Sequence, residues 1–524
     1  MTAKADGSAQ EILVGIDIGT TNVKCGIYRA DGRSIGSGTT PTRAAARLWD
    51  TPFGRFEAGD AAALWPLVGA VCREAAQTLD APERSAIRGI AVSGVGCTAV
   101  CVDAGDRPLY PLQFGDTAPA LFETYRREIG PDRYQATTGY PLEPDNTAFQ
   151  LARLRELDPH GYRQIAAVLS VSDYVNLRLT GLRAREPSTA ASMALWNQPD
   201  NTWWREFLDA IQLGPEVLGS PVPSGRLLGP LTAAAAMETG WPEGTPVYLG
   251  GHDYLCAALA AGCTTPDTLL TISGTFDIVA AFRDTPDVRR TAQRTIVDHH
   301  VVPGMYSVMA EAVGGGQAEW LRRQLLGADS GGGTAGWERL LDELGALPPP
   351  FTATREAFVP HLFGRWSPSR EDASYGSYVG LSGDSTGASL LRATIVGTCF
   401  QSRQILDGLR QIVPETMGPL RVVGGGRHPA WMQLKADALG ITLAAPRIHE
   451  ASALGAALLA GIGAGVYRGF EEASRVSAAF GADIYEPAAD AQAAYEQAYR
   501  TVYLFLLDAM RHVDERLSRL GGPG

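Results

Sequence analysis

The sequence lacks the paired cysteines of a disulfide framework or a zinc site. Its seven cysteines are scattered, the count is odd, and no two of them form a CxxC pair. This usage is typical of reduced thiols in the cytosol. Cys97 and Cys101 lie four residues apart, but no histidine or further cysteine nearby completes a set of zinc ligands. We therefore predict neither a disulfide nor a cysteine-bound metal.

Long hydrophobic runs are missing as well. No uncharged apolar stretch approaches the roughly 20 residues that span a bilayer. The polar start, MTAKADGSAQE, lacks the apolar segment of a secretory signal. We expect a cytoplasmic protein with no membrane partner.

Positive charge is in short supply. Lys and Arg total 45 against 57 Asp and Glu, the formal net charge is −12, and lysine is scarce. An acidic surface disfavours nucleic acid as a partner. It does not exclude an anionic nucleotide, because a pocket can bind phosphates with backbone N–H groups and helix N-termini instead.

Apolar material is plentiful, and one local pattern occurs twice. Hydrophobic residues make up 45% of the 524 residues, which favours two large domains. Residues 11–28 and 268–282 each contain an apolar strand, a Gly-Thr turn and a second strand, which predicts two halves of similar α/β design. Helical spacing predicts a helix over 148–180 that ends at Gly181, and a closing helix over 489–519 with a packing role.

The first candidate site is the turn that follows Asp17 and contains Gly19, Thr20 and Thr21, with Lys24 three residues later. Glycine permits a tight turn, so that backbone N–H groups and hydroxyls can approach phosphate oxygens. Asp17 at the strand end can hold Mg²⁺ directly or through water. An ordinary hairpin with a capping aspartate is the structural alternative.

Two further turns suit a nucleotide. Ser273-Gly274-Thr275 is again a strand-end turn with hydroxyls, and it could provide a second set of phosphate contacts. The three glycines at 424–426 follow a strand, and a flat adenine or ribose could lie against their bare backbone. In each case a simple tight turn is the alternative.

The stretch Gly-Gly-His-Asp, which ends at Asp253, places a carboxylate between a strand and a helix. Phosphoryl transfer to an alcohol needs a base at the hydroxyl, and Asp253 could be that base. Asp253 could also serve as a helix N-cap. For His252 we favour a packing or hydrogen-bonding role over that of a ligand.

Together these motifs resemble the FGGY carbohydrate kinases, which include glycerol, xylulose, ribulose, fuculose and rhamnulose kinases. The matching stretches are GIDIGTTNVKCGIY, SDYVNLRLTG, EGTPVYLGGHDYLCAALAAG, ISGTFDIV, VGGGRHPAWMQLKADALG and EASALGAALLAGIGAG. The resemblance runs from about Ile12 to the helix after Tyr495.

The resemblance implies an α/β fold of two actin-like (ribonuclease-H-like) ATPase domains around a central cleft. An N-terminal sugar-binding domain would span residues 1–262, and a C-terminal nucleotide-binding domain would span 263–524. The resemblance also implies Mg·ATP as phosphoryl donor and Asp253 as general base. The residues implied at the nucleotide are Gly19, Thr20, Thr21, Gly274, Thr275, Gly314, Gly315, Gly425 and Gly426.

The stretches that distinguish the sugar substrates within this family differ in this sequence from the family patterns. Xylulose kinases carry a Gln-Met-His stretch where this sequence has VGC at 95–97, and glycerol kinases carry an Arg-Glu pair there. Of the Trp-x-Asp-x-Arg element only the aspartate is kept, and Tyr254 replaces the usual threonine. NTAFQL at 146–151 resembles the rhamnulose and fuculose kinases. The candidate sugar contacts are Cys97, Asp116, Asn146 and Asp253.

The resemblance therefore implies a kinase that phosphorylates a small sugar, with a ketose that has a primary hydroxyl as the preferred acceptor. A polyol or glycerol-type kinase and a non-catalytic sugar-binding protein are alternatives. A chaperone-type ATPase would need a peptide-binding extension, and the chain after residue 487 is too short for one. A homodimer is a common arrangement in the family.

Overall fold

A computed structural model describes the parts of the chain that are analysed below, namely residues 11–51, 54–111, 119–286, 294–324, 341–344, 355–371, 373–413 and 418–520. The strands are β1 (Ile12–Ile18), β2 (Asn22–Arg29), β3 (Ser34–Pro41), β4 (Ala46–Thr51), β5 (Gly54–Gly59), β6 (Ile87–Gly94), β7 (Val100–Val102), β8 (Ala167–Leu169), β9 (Trp196–Asn197), β10 (Thr202–Trp203), β11 (Leu227–Pro230), β12 (Pro246–His252), β13 (Leu269–Ser273), β14 (Phe276–Arg283), β15 (Ile296–His299), β16 (Tyr306–Val313), β17 (Ala357–Val359), β18 (Ser377–Val379), β19 (Leu420–Val423), β20 (Leu443–Pro446) and β21 (Ala482–Tyr485).

The helices alternate with these strands along the chain. They are α1 (Ala61–Ala76), α2 (Ala81–Ser85), α3 (Pro119–Glu128), α4 (Pro131–Thr138), α5 (Thr147–Leu157), α6 (Pro159–Tyr162), α7 (Val171–Thr180), α8 (Pro187–Ala191), α9 (Arg205–Ala210), α10 (Ala233–Thr239), α11 (Asp253–Ala260), α12 (Gly315–Gln324), α13 (Gly387–Ile412), α14 (Pro429–Leu439), α15 (Ala451–Gly463), α16 (Phe470–Ala478), α17 (Ala489–Ala498) and α18 (Leu504–Leu520). None of the helices described here is long and apolar enough to cross a membrane.

Two sheets repeat one topology. The first has the order β11-β12-β6-β1-β2-β3, and the second has the order β15-β16-β14-β13-β19-β20-β21. In the first, β1, β2 and β3 form an antiparallel meander, while β1, β6 and β12 are parallel. In the second, β13, β14 and β16 form the meander, while β13, β19 and β20 are parallel. The predicted two halves of similar design are confirmed.

Strand β1 lies inside the first sheet and positions the turn at residues 19–21. All seven residues of β1 are buried, as expected of a strand with sheet neighbours on both edges and helices on its faces. It pairs antiparallel with β2, so that the loop at 19–21 closes a tight hairpin. The register sets Asp17 opposite Lys24 on one side and Ser93 on the other.

The single helix predicted over 148–180 is wrong. The segment forms α5, the short helix α6, strand β8 and then α7. The side chain of Asp158 accepts a hydrogen bond from the backbone N–H of Gly161, which starts a new turn at Pro159. The glycine C-cap is confirmed, because Gly181 ends α7 with φ 75°. The closing helix is also present, as α17 and α18 joined by a π-helical turn over Tyr499–Tyr503.

Helix α15 joins the two halves, although in sequence it lies between β20 and β21 of the second sheet. It packs on β1 and β6 of the first sheet and crosses α11 at very short range. A Cβ atom on Gly455 would lie 1.9 Å from the carbonyl oxygen of Cys256 in α11, and one on Gly15 would lie 1.8 Å from that of Ala453. The backbone of α15 therefore contacts the backbones of α11 and β1 directly.

The edge strand β15 of the second sheet also binds the first half. The backbone N–H of Val297 donates to the carbonyl of Gly139 over 2.9 Å. The side-chain amide of Gln198 donates to the carbonyl of Val297 over 3.1 Å, and that of Gln135 to the carbonyl of Thr295 over 2.9 Å. These contacts cover an edge that would otherwise expose unpaired backbone groups.

The close crossing of α11 and α15 predicts that a residue larger than glycine at position 455 destabilises the protein. We expect Gly455→Ala to lower stability by about 1–3 kcal/mol, because the added methyl group overlaps backbone that cannot rotate away. Urea unfolding of the two proteins measures the difference. Gly383→Ala is the matched control, since no atom lies within 4 Å of a Cβ there. Equal losses in the two variants would contradict the packing argument.

Candidate active site

Asp17 is a buried carboxylate at the end of β1. The hydroxyl of Ser93 on β6 donates a hydrogen bond of 2.9 Å to its Oδ1 atom. Burial, and then the negative charge of Asp253, raise the pKa of Asp17 to about 7. Two carboxylates from separate elements of the first half therefore lie close enough to repel each other.

Lys24 is paired across the two halves. Its Nζ atom donates to the carboxylate of Glu450, which directly precedes α15 and has a left-handed backbone, φ 52°. Arg427, after the glycine turn at 424–426, donates to the carbonyls of Pro446 and Ile448 in the same region. Lys24 of the first sequence motif and Arg427 after the third thus both contact the segment 446–450. A role of Lys24 at the nucleotide stays a prediction.

Asp253 begins α11, and it is partly exposed. The residue in the N-cap position is His252, so the N-cap alternative for Asp253 is wrong. Its Oδ1 atom instead accepts a hydrogen bond of 2.6 Å from the backbone N–H of Tyr254. A carboxylate anchored by one oxygen and open to solvent can accept a proton from a bound hydroxyl.

The glycine motifs of the second half converge on one turn. The N–H of Gly315 donates to the carbonyl of Gly274 over 2.8 Å, and that of Gly314 donates to Thr275 over 2.9 Å. The N–H of Gly426 donates to the carbonyl of Ser273 over 3.1 Å. Sequence reasoning named these stretches separately, and the structure brings them together.

Side chains would not fit at Gly314, Gly315 and Gly424. A Cβ on Gly315 would lie 2.6 Å from the carbonyl oxygen of Gly274, and one on Gly424, with φ 104°, would lie 2.3 Å from that of Ser273. Gly425 differs, because no atom of the described residues lies within 4 Å of its Cβ position. The turn at 424–426 therefore packs against Ser273 at Gly424, and it leaves space beside the Cα atom of Gly425.

Sequence reasoning missed Lys435 beneath this turn. Its side chain is buried in α14, and the Nζ atom donates to Ser273 Oγ over 2.7 Å and to Asp277 Oδ2 over 2.8 Å. Asp277 Oδ2 also accepts from Ser402 over 3.1 Å. The ion pair and its bond to Ser273 therefore anchor the turn Ser273-Gly274-Thr275, a candidate for phosphate binding, to helix α14. The scarcity of lysine was a usable signal, because an isolated lysine inside an apolar helix has to find a partner.

The candidate sugar contacts have different surroundings. Cys97 is solvent-accessible with φ 54°, and the cleft walls desolvate its thiol enough to raise its pKa, so that it stays a neutral thiol. Asn146 uses its Nδ2 atom internally, in bonds to the Tyr134 hydroxyl (3.3 Å) and the Pro141 carbonyl (2.8 Å). Asp116 lies outside the described residues.

An ion network that no sequence motif indicated joins the halves near Cys97. Arg294 forms a two-pronged pair with Glu143 of the first half, and its Nη1 atom lies 3.6 Å from Glu311. Arg370 lies 3.3 Å from Glu143 and 3.2 Å from Asp145. Charges of both signs are thus paired across the two halves at this point.

Comparison with known proteins matches both halves to one family. The N-terminal domain of the FGGY family of carbohydrate kinases matches residues 12–260, and the C-terminal domain of that family matches residues 269–464. The chain is 29% identical over 473 residues to L-xylulose/3-keto-L-gulonate kinase of Escherichia coli (strain K12), covering 88% of this chain and 90% of that protein. It is 26% identical over 472 residues to L-fuculokinase of the same strain, covering 88% and 95%.

A solved structure supports the same relationship. Xylulose kinase from Rhodospirillum rubrum superposes with a TM-score of 0.82 at 25% identity, over 96% of this chain and 100% of that chain. The expected two-domain actin-like fold is therefore confirmed over nearly the whole length.

The buried pair under the phosphate-turn candidate can be tested directly. We expect Lys435→Met to lower the free energy of unfolding by about 3–5 kcal/mol, because Asp277 is left as an unpaired buried charge. The double variant Lys435→Met/Asp277→Asn should recover much of this loss, since no buried charge remains. Urea unfolding compares the three proteins. A double variant no more stable than the single one would show that the ion pair is not what Lys435 provides.

Proposed function

The chain belongs to the FGGY family of carbohydrate kinases, and we propose that it transfers the γ-phosphoryl group of ATP to a primary hydroxyl of a small ketose. The observation that carries the proposal is Asp253, a partly exposed carboxylate at the start of α11 beside the buried Asp17. The names of the relatives, which include L-xylulose kinase and L-fuculokinase, favour a ketose as acceptor.

Asp253 acts as general base in the proposed reaction. It takes the proton of the sugar hydroxyl, the hydroxyl oxygen bonds to the γ-phosphorus, and the bond from that phosphorus to its bridging oxygen breaks. The products are a sugar phosphate and ADP, with the proton left on Asp253. Closure of the two halves would exclude water, so that ATP is not hydrolysed.

We propose that Asp17 is the residue that holds Mg²⁺, directly or through water. Its carboxylate is buried, and the nearby Lys24 is already paired with Glu450. The described part of the chain contains no group of three or more His, Cys, Asp or Glu that could hold a metal, so phosphate oxygens and water would complete the ligand set. When bound, the ion would neutralise charge on the transferring group.

The glycine turns are proposed to hold the nucleotide. The turn with Gly19, Thr20 and Thr21 would contact phosphates from the first half, and Gly274 and Thr275 would do so from the second. The N–H groups of Gly314 and Gly315 are already bonded to that second turn. These two glycines would therefore touch the nucleotide through bare Cα atoms. Gly425, which is open, and Gly426 would contact the adenosine.

Cys97, Asn146 and Asp116 are proposed sugar contacts, together with Asp253. We further propose that residues 1–262 form the sugar-binding domain and 263–524 the nucleotide-binding domain. A cytoplasmic location and a homodimer also stay proposals. Light scattering of the purified protein at micromolar concentration tests the dimer.

The role of the base is tested by Asp253→Asn. We expect turnover to fall about 10²–10⁴-fold, because the amide cannot accept the hydroxyl proton, while ATP still binds. A coupled assay of ADP release measures turnover, and calorimetry measures ATP affinity. Asp209→Asn, an exposed site in the first half, is the control. Turnover at the wild-type rate in Asp253→Asn would rule out this base.

The acceptor class is tested with a panel of ketoses, aldoses and polyols in the same assay. We expect the highest kcat/KM for a ketose with a free primary hydroxyl. Turnover of glycerol or another polyol alone would establish the polyol-kinase alternative. Sugar binding without ADP release from any member of the panel would establish a non-catalytic protein.

A further inference from the structure

A carboxylate of the second half, Asp298, lies buried against α11, the helix of the first half that begins with Asp253. Asp298 on β15 is fully buried. Its Oδ2 atom accepts hydrogen bonds from the hydroxyls of Tyr140 (2.7 Å) and Tyr254 (3.2 Å), both of the first half. Its Oδ1 atom has no hydrogen-bond partner among the residues that the structure describes. A buried carboxylate that accepts from two neutral hydroxyls favours a cation beside it.

His252 lies between this carboxylate and the proposed base. Its Nδ1 atom is 3.5 Å from Asp298 Oδ2, and its Nε2 atom is 3.6 Å from Asp253 Oδ1. The ring packs edge-on against Tyr254 at 4.6 Å between centroids. A Cβ on Gly96 would lie 2.3 Å from the ring, so a glycine there leaves the space that the imidazole fills.

The charged groups around the imidazole are negative. Asp298 faces it from β15, Asp253 from α11, and Glu186 from the position that caps α8. Burial alone would lower the pKa of His252, but these carboxylates outweigh it and raise that pKa. The two tyrosines in the cluster stay neutral, because burial raises their pKa well above the usual range.

We propose that Asp298 is a positioning residue for phosphoryl transfer, which holds His252 as an imidazolium with Nδ1–H toward Asp298 and Nε2–H toward Asp253. The proposal rests on the proposed function, in which Asp253 is the base. Asp298 acts only through His252, and it does not touch the substrate. His252 keeps its own proton throughout, while the hydroxyl proton goes to Asp253.

The need for such a cation follows from the two neighbouring carboxylates. The negative charge of Asp253 is one of the causes that raise the pKa of Asp17, so the two carboxylates lie within range of each other's charge. A base has to be ionised before it can accept a proton, so a protonated Asp253 would be inactive. An imidazolium whose Nε2 atom lies 3.6 Å from Asp253 Oδ1 places positive charge beside the two carboxylates and offsets their repulsion.

The test is the pH dependence of kcat/KM in Asp298→Asn, with the full-length enzyme and the best sugar of the panel. Activity should need protonated His252, so it falls as pH rises through the pKa of that residue. The variant lacks the charge that raises this pKa. We therefore expect the alkaline limb of the profile to move down by about 1–3 pH units. The KM for ATP should not change.

A direct readout is the NMR titration of His252 in histidine-labelled enzyme, assigned with His252→Gln. Its pKa should fall in Asp298→Asn by the same amount as the kinetic limb. Ser307→Ala is the matched control, since Ser307 is bonded to Tyr254 in the same buried cluster but carries no charge. Asp298→Glu, which keeps the charge, should restore part of the limb.

The double variant Asp298→Asn/His252→Gln shows whether Asp298 acts through His252. We expect Asp298→Asn to have no further effect on kcat once His252 is absent. Lower activity with an unmoved limb and an unmoved His252 pKa would overturn the proposal in favour of a merely structural role. If Asp298→Asn does not fold, His252→Gln alone must abolish the alkaline limb, and a retained limb overturns the proposal. Wild-type turnover in Asp253→Asn would instead refute the proposed function.

Discussion

The crossing of α11 and α15 sets the geometry of the cleft. At Gly455 the backbones of the two helices are in contact, and at Gly15 the same helix rests on β1. Asp253 is the first residue of α11, Glu450 directly precedes α15, and Asp17 follows Gly15 by two positions. Backbone contacts therefore fix the spacing of the backbone positions from which these carboxylates project. The helices that join the halves are thus also the helices that carry the candidate chemistry.

In the proposed reaction, the second half would bind a polyanion with little positive charge. Its candidate turn offers backbone groups, and the one lysine beneath it is already paired with Asp277. An acidic protein with net charge −12 would gain little from long-range attraction of ATP. Affinity would have to come from close contacts with the turn residues and from the metal ion that accompanies the nucleotide.

Local patterns could be predicted from sequence, and distant contacts could not. The hairpins around residues 19–21 and 274–275 depend on apolar strands and turn residues that lie side by side in the chain. The helix over 148–180 was wrong because strand β8 has helix-compatible spacing and is set by pairing with β7. Asp298 and Arg294 contact partners more than 40 residues away, and nothing in one sequence indicates such pairs. Lys435 could have been identified from the sequence, since lysine is scarce in this chain.

The docking of β15 on the first half limits how the two halves can move. Hydrogen bonds at Val297 and Thr295 tie this strand to the first half, and β16 ties its other edge to the second sheet. A strand held along both edges cannot slide without breaking several bonds at once. Any opening or closing of the cleft would therefore be a rotation about an axis along β15. Residues far from this axis would travel the greatest distance, and those beside it, such as His252, would keep their neighbours.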